Sequence, residues 1–185
     1  MAELEQKHDV EMVWLPYELR PEPQPLPDMS GPERERFVAN WERGVAPLAA
    51  RYGVEMHFPP YKPRSRWAHE AVEFARDHGK ADAMRHALFQ AFFVANRDIG
   101  ELDVLADLAR SIGLDGDELR AALTDGRYRE RVQEMEALSA RLGVRAVPTI
   151  VFGEAVGVEG AQPYEMLREA YQEAERRLAQ EQPTG

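Results

Sequence analysis

The chain has 185 residues, with 33 acidic against 23 basic side chains and a net charge of −10. That balance disfavours a phosphate-binding surface of the nucleic-acid kind, because no basic excess exists to release counterions. Apolar residues make up 44%, enough for a packed core, and cysteine is absent, which excludes disulfides, thiolate nucleophiles and zinc–thiolate sites within these residues.

From the N-terminus, residues 1–9 read as the end of a helix whose only apolar anchor is Leu4. Val10–Leu15 is mostly apolar, partly β-branched and stopped by Pro16, the pattern of a strand. Prolines 21, 23, 25 and 27 alternate in the next stretch, so Arg20–Asp28 is a stiff extended connector. Ser30-Gly31-Pro32-Glu33 has the form of a capping box. Phe37, Trp41, Val45 and Leu48 then fall on one helical face, with Gly44 and Pro47 weakening or kinking its far end and Gly53 closing it. Val54–Phe58 is a short strand or extended segment, halted by Pro59-Pro60.

A run of helices comes next. Ser65 opens one holding Trp67, Ala71 and Phe74; Met84, Leu88 and Ala91 stripe the second; Leu102, Leu105, Leu108 and Ile112 mark a third. Asp115 caps a short fourth, and Tyr128, Val132, Met135, Leu138 and Leu142 mark a fifth that ends at Gly143. The pattern then changes. Thr149–Phe152 is a continuous apolar strand, Gly153-Glu154 a tight turn, and Ala155–Val158 the returning strand of an antiparallel hairpin. Pro163 starts a last helix striped by Tyr164, Leu167, Tyr171, Ala174 and Leu178, and Gln180–Gly185 is expected to fray. Strand, helical block, hairpin, helix is the order of an α/β unit with a helical insertion, here spanning residues 28–142 between core segments 1–27 and 143–185.

Few side chains form a chemical constellation. His69 with Glu73, and Asp82 with His86, stand one helical turn apart, but neither pair has a third ligand, so no metal is expected. Ser30 and Ser65 read as helix caps rather than nucleophiles. The arginines of the helices are scattered among carboxylates and make no nucleic-acid stripe. The longest uncharged runs, Ala87–Asn96 and Ala146–Gly153, fall short of the roughly 20 residues of a membrane span. The polar start Met1–His8 has no signal-type apolar stretch, so the expected compartment is the cytoplasm. Neither nucleic acid nor membrane is an expected partner, and no cofactor is expected.

One junction stands out. Val147-Pro148 immediately precedes the apolar strand. On residues alone a trans bond is the commoner state, since about one X–Pro bond in twenty is cis. The stretch Gly143-Val144-Arg145-Ala146-Val147-Pro148-Thr149-Ile150-Val151-Phe152, with Val158-Glu159-Gly160-Ala161-Gln162-Pro163 after it, resembles the C-terminal half of DsbA-like thioredoxin-fold oxidoreductases of the FrnE type. Trp14–Pro21 resembles that family's second strand and its exit. Ala87–Phe93 with Asp98-Ile99, and Gly113-Leu114-Asp115, resemble its inserted helical domain.

The resemblance implies a thioredoxin-like α/β fold with a large helical insertion. It implies a cis Val147–Pro148 bond and a substrate-facing loop of Val147, Pro148 and Thr149. Trp14 joins these as a candidate groove residue by aromatic adjacency. The implied activity is thiol–disulfide exchange on an extended peptide or protein substrate. The family's first strand and its Cys-Pro-Trp-Cys-like motif find no match here, so no catalytic residue is assigned. Three readings stay open: a thiol–disulfide oxidoreductase whose sequence here starts late; a cysteine-free peptide-binding module using the proline groove; and a relative of the glutathione-dependent 2-hydroxychromene-2-carboxylate isomerases. The isomerases' Gly-Gln-Asp-Arg-like stretch is replaced by Gly160-Ala161-Gln162-Pro163. A sheet lacking its central strand would also expose an edge, so a homodimer made by strand addition is expected.

Overall fold

The computed structural model describes residues 2–181. The expected fraying at the C-terminus therefore falls partly outside the described residues, while Gln180 itself lies within the last helix. The chain divides into two compact units, Met1–Tyr17 with Glu134–Gly185, and Glu18–Gln133. The proline-rich connector belongs to the second. Arg64 explains this: its guanidinium donates to the carbonyls of Arg20 and Gln24, both at 2.6 Å. Glu18, whose side chain is almost wholly buried, also pairs with Arg66 at 2.8 Å.

The helical unit contains α2 (Pro32–Asn40), α3 (Ala46–Arg51), α4 (Arg66–Asp77), α5 (Ala81–Phe89), α6 (Leu102–Ser111), α7 (Gly116–Thr124) and the start of α8 (Arg129–Arg141). The hairpin unit contains α1 (Ala2–Lys7), the end of α8, strands β1 (Thr149–Phe152) and β2 (Val156–Glu159), and α9 (Tyr164–Glu181).

The core of the helical unit lies among α4–α7, where Phe74, Met84, Leu105, Leu119 and Leu123 are fully buried. The apolar spacing read from the sequence puts these residues inward. Helices α6 and α7 approach so closely that a Cβ on Gly116 would lie 2.6 Å from the Ala106 carbonyl oxygen. Asp115 caps α7 as expected, accepting from the N–H groups of Asp117 and Glu118. Those two bonds hold its carboxyl below the usual carboxylate range. The Lys80 ammonium donates to the carbonyls of Ile112 and Gly113, satisfying the end of α6.

Two local expectations fail in this unit. The Ser30 capping box does not form: Gly31 occupies the cap position of α2 without a side-chain bond. Asp28 organises the turn instead. Its carboxylate accepts from the N–H and hydroxyl of Ser30, and its own N–H donates to Glu33. Ser65 stands at the start of α4 but makes no capping bond either. The expected weakening at Pro47 takes a definite form, a π-helical turn over Trp41–Val45 that joins α2 to α3. Proline has no N–H, and its ring collides with the carbonyl four residues back, so a widened turn relieves that site. A second π turn, Gln90–Val94, extends α5 with no proline to signal it.

Carboxylates inside the helical unit have contrasting fates. Glu73 is buried and held by the Arg76 guanidinium at 2.9 Å. No metal-binding cluster occurs among the described residues. Asp77 accepts from Arg131 at 2.7 Å and from the Tyr128 hydroxyl at 3.0 Å. The Arg131 bond leads in pushing its carboxyl down. Glu70 is fully buried, and neither carboxylate oxygen has a hydrogen-bond donor. Burial pushes its carboxyl up, against the opposing pull of Arg129 and Arg66.

In the hairpin unit, β1 and β2 pair antiparallel with Thr149 opposite Glu159 and Phe152 opposite Val156. Gly153 and Glu154 both have positive φ, and the Ala155 N–H returns to the Phe152 carbonyl at 3.0 Å. These are the φ signs of the primed turns that suit a hairpin. Leu4, Phe152, Leu167 and Ala174 form a small core, with Val10, Ile150, Tyr164 and Tyr171 packed on its border. Leu4 is thus the anchor it was expected to be. The strand expected over Val10–Leu15 is absent. The segment carries no regular secondary structure and pairs with no described strand, and Val13 is 67% exposed. A β-propensity run without a neighbouring edge gains no ladder bonds.

Candidate functional site

The loop from α8 to β1 is fixed by hydrogen bonds from all sides. Gly143, with φ +77°, ends α8, and the Val144 N–H returns to the Ser139 carbonyl at 3.0 Å. The Tyr17 hydroxyl donates to the Arg145 carbonyl at 2.9 Å. The Ser139 hydroxyl reaches the Pro16 carbonyl at 3.3 Å. The Thr149 hydroxyl donates to the Ala146 carbonyl at 2.7 Å, and the Gly160 N–H donates to the Pro148 carbonyl at 2.8 Å. Together these bonds leave the Val147 side chain outward, 46% exposed. The Val147–Pro148 peptide is cis, as is Glu22–Pro23.

The bond from Gly160 to Pro148 fixes the parity of the hairpin. In an antiparallel pair, hydrogen-bonded and non-hydrogen-bonded partners alternate. Given the register, Ile150 and Phe152 turn their backbone groups toward β2, while Thr149 and Val151 turn theirs away from it. The sheet of the described residues has two strands, in the order β1-β2. The outer edge of β1 therefore presents the N–H and C=O of Thr149 and Val151 to any extended segment that lies beside it.

Of the four residues singled out in the sequence, Val147, Pro148 and Thr149 form one continuous rim at the start of this edge. Trp14 is 46% exposed on the segment whose end, Pro16-Tyr17, is tied to Ser139 and Arg145. Sequence reasoning missed Tyr17 and Ser139, the two hydroxyls that position the loop. Their partners are backbone carbonyls more than a hundred residues away, and no local pattern marks them. No thiol occurs in the sequence, and the hydroxyls of Tyr17, Ser139 and Thr149 each donate to a backbone carbonyl.

The model of the DsbA-like thioredoxin domain matches residues 1–172. This chain belongs to the DsbA-like family. Its fold is the thioredoxin-like fold of that family, rich in helix, with the small β1–β2 sheet among the described residues. The uncharacterized protein YwbO of Bacillus subtilis is 31% identical over 172 residues, covering 91% of this chain and 84% of that protein. Among solved structures, SCO1869 of Streptomyces coelicolor, described as a probable DsbA oxidoreductase, superposes with a TM-score of 0.67 at 26% identity. That match covers 84% of the DsbA-like chain and 65% of SCO1869. A 2-hydroxychromene-2-carboxylate isomerase superposes with a TM-score of 0.63 at 20% identity, over 80% of this chain and 70% of its own. The isomerase likeness is one of fold alone.

Proposed function

We propose that this DsbA-like chain docks an extended polypeptide in the service of thiol–disulfide exchange. The polypeptide enters at Val147–Pro148–Thr149 and pairs with the outer edge of β1, with Trp14 supplying apolar surface. The observation that carries this reading is the outward direction of the Thr149 and Val151 backbone groups on an edge that no described strand covers. Main-chain pairing of this kind gives affinity with little sequence preference, which suits a substrate class as broad as unfolded protein. Family membership and the likeness to SCO1869 support the oxidoreductase setting. The exchange itself proceeds through a mixed disulfide, and these 185 residues contain no cysteine. By itself the chain is therefore expected to bind peptide and to leave insulin disulfides intact.

Fluorescence anisotropy with labelled, extended peptides tests the docking. Saturable binding is expected, weakened roughly tenfold or more when alternate peptide amides are N-methylated, because each lost ladder bond leaves a backbone carbonyl unpaired. Equal binding of the methylated peptides, or no saturation by any peptide, would remove the reading. The same edge is open to a second copy, so strand addition between two β1 edges is proposed as a route to a homodimer. Light scattering at the mass of one chain across the micromolar range would count against that dimer.

The zero cysteine count also favours a second reading, a binding module with no redox step. The two readings differ in one measurement. Fusing a Cys-x-x-Cys segment ahead of the Val10 segment should produce insulin reduction under the first reading and none under the second.

A further inference from the structure

The helical unit carries a face that its own core does not use. From Pro32 to Arg51, through α2, the π turn and α3, no residue is buried. Yet Phe37, Trp41, Val45 and Leu48 repeat along one side at helical spacing. An apolar stripe of that length normally faces a core.

Here its first half leans on a row of half-exposed rings. Trp41 lies 5.9 Å from Phe58 and 6.2 Å from Phe93, and Phe93 stacks on Phe89 at 6.0 Å. The row ends in open surface: Phe89 is 55% exposed, and Val45 and Leu48 are also exposed. Contiguous apolar surface of this kind marks an interaction site.

Charge says what covers it. Lys62 Nζ lies 5.0 Å from the Phe37 ring centre and 5.3 Å from that of Phe58, and the Arg34 guanidinium lies 5.9 Å from Phe58. Neither cation makes an ion pair among the described residues. By contrast, Arg76, Arg97, Arg110, Arg120 and Arg131 of the same unit each meet a carboxylate. Burial, and after it the neighbouring Arg20, push the Lys62 ammonium down. Residues 31–64 hold six basic and four acidic side chains in a chain whose net charge is −10. An aromatic row edged by unpaired cations is complementary to apolar groups edged by carboxylates.

We propose that this face docks an acidic amphipathic helix of a partner protein. Its apolar stripe would cover Trp41, Val45, Leu48 and Phe89, and its carboxylates would meet Lys62 and Arg34. The row of side chains runs along a helix and offers no strand edge, so helix-on-helix packing is the mode it accommodates. A bilayer of anionic lipid is the disfavoured occupant, because it would be repelled by the charge of the chain as a whole. A second copy related by two-fold symmetry is disfavoured too, because it would bring these cations against themselves.

The test uses a labelled synthetic peptide of about 18 residues, five helical turns, with Leu and Phe on one face and Glu on its flanks. Its counterparts carry Gln for Glu, or Ser for Leu and Phe. Anisotropy should show saturable binding to the acidic peptide, roughly tenfold weaker for either counterpart and falling with added salt. Lys62→Glu with Arg34→Glu should weaken binding by a similar factor, and so should Phe89→Ser, each with an unchanged circular dichroism spectrum. Equal binding of the Gln peptide, or no effect of the folded variants, would overturn the proposal. So would co-sedimentation with phosphatidylserine vesicles in the absence of peptide binding, or a dimer that Phe89→Ser dissociates. None of these outcomes depends on the β1 edge, so docking at β1 and docking here stand or fall separately.

Discussion

In the helical unit, Phe74, Met84, Leu105, Leu119 and Leu123 are all fully buried; in the hairpin unit, among the large apolar side chains of the described residues, only Leu4 reaches that state. The core of the helical unit is built largely from contacts between neighbouring helices. The hairpin unit rests on two four-residue strands, and no described strand covers the outer edge of β1. A two-stranded hairpin is marginal unless a helix packs on it, and here α9 and the short α1 supply that packing. The difference assigns stability to one unit and open bonding capacity to the other. Proposed docking at β1 uses backbone groups that a tightly closed sheet would have consumed.

The largest expected effect is on the dense core. Phe74→Ala should cost about 3–5 kcal/mol in urea unfolding, since the ring is fully enclosed against Tyr128 and His78. Phe152→Ala, in the thinner core and 8% exposed, should cost less. A larger loss at Phe152 would break the comparison.

Amide hydrogen exchange sharpens it without mutation. The N–H groups of Thr149 and Val151 should exchange roughly a hundredfold or more faster than that of Leu105 in α6. Equal protection would mean that the β1 edge is already covered in solution.

Within the helical unit the two contrasting carboxylates give smaller, pH-dependent effects. Asp77→Asn should cost about 1 kcal/mol at neutral pH, a modest figure because the pair with Arg131 is half exposed. The folded protein holds the Asp77 carboxyl below its ordinary 3.8. Its stabilisation is thus present above that value and disappears as pH falls through the lowered one. The gap between variant and parent melting curves should close in acid.

Glu70 has the opposite sign. Its carboxyl is raised above its ordinary 4.5, so the folded state binds the proton more tightly, and stability declines as pH rises from that value through the raised one. Glu70→Gln should give a small rise in Tm at pH 7 and none well below pH 4.5. A drop at pH 7 would mean that the ionised carboxylate has a partner in solution.

Much of this was legible in the residues. The helical periodicities, the Asp115 cap, the Gly153-Glu154 turn and the order of elements are local properties of the chain, set by side-chain spacing and backbone preference. So was the family resemblance, carried by Val147-Pro148-Thr149 together with Gly160-Ala161-Gln162-Pro163. The Val10–Leu15 strand was misread because a strand is a relation between two segments. Its composition suits a ladder, yet no described strand lies beside it. The Ser30 box was misread because α2 starts at Pro32 with Gly31 at its cap, and Asp28, two residues upstream, accepts from both the N–H and the hydroxyl of Ser30.

Other features had no local sign at all. The sequence by itself determined where helices form, which faces are apolar, and that no thiol chemistry is possible within these residues. Only the tertiary structure decided which edge of β1 faces outward, which hydroxyls hold its loop, and which apolar stripe is left without a core. Those outcomes depend on pairings between residues far apart in the chain, and spacing along a sequence does not encode which distant group arrives.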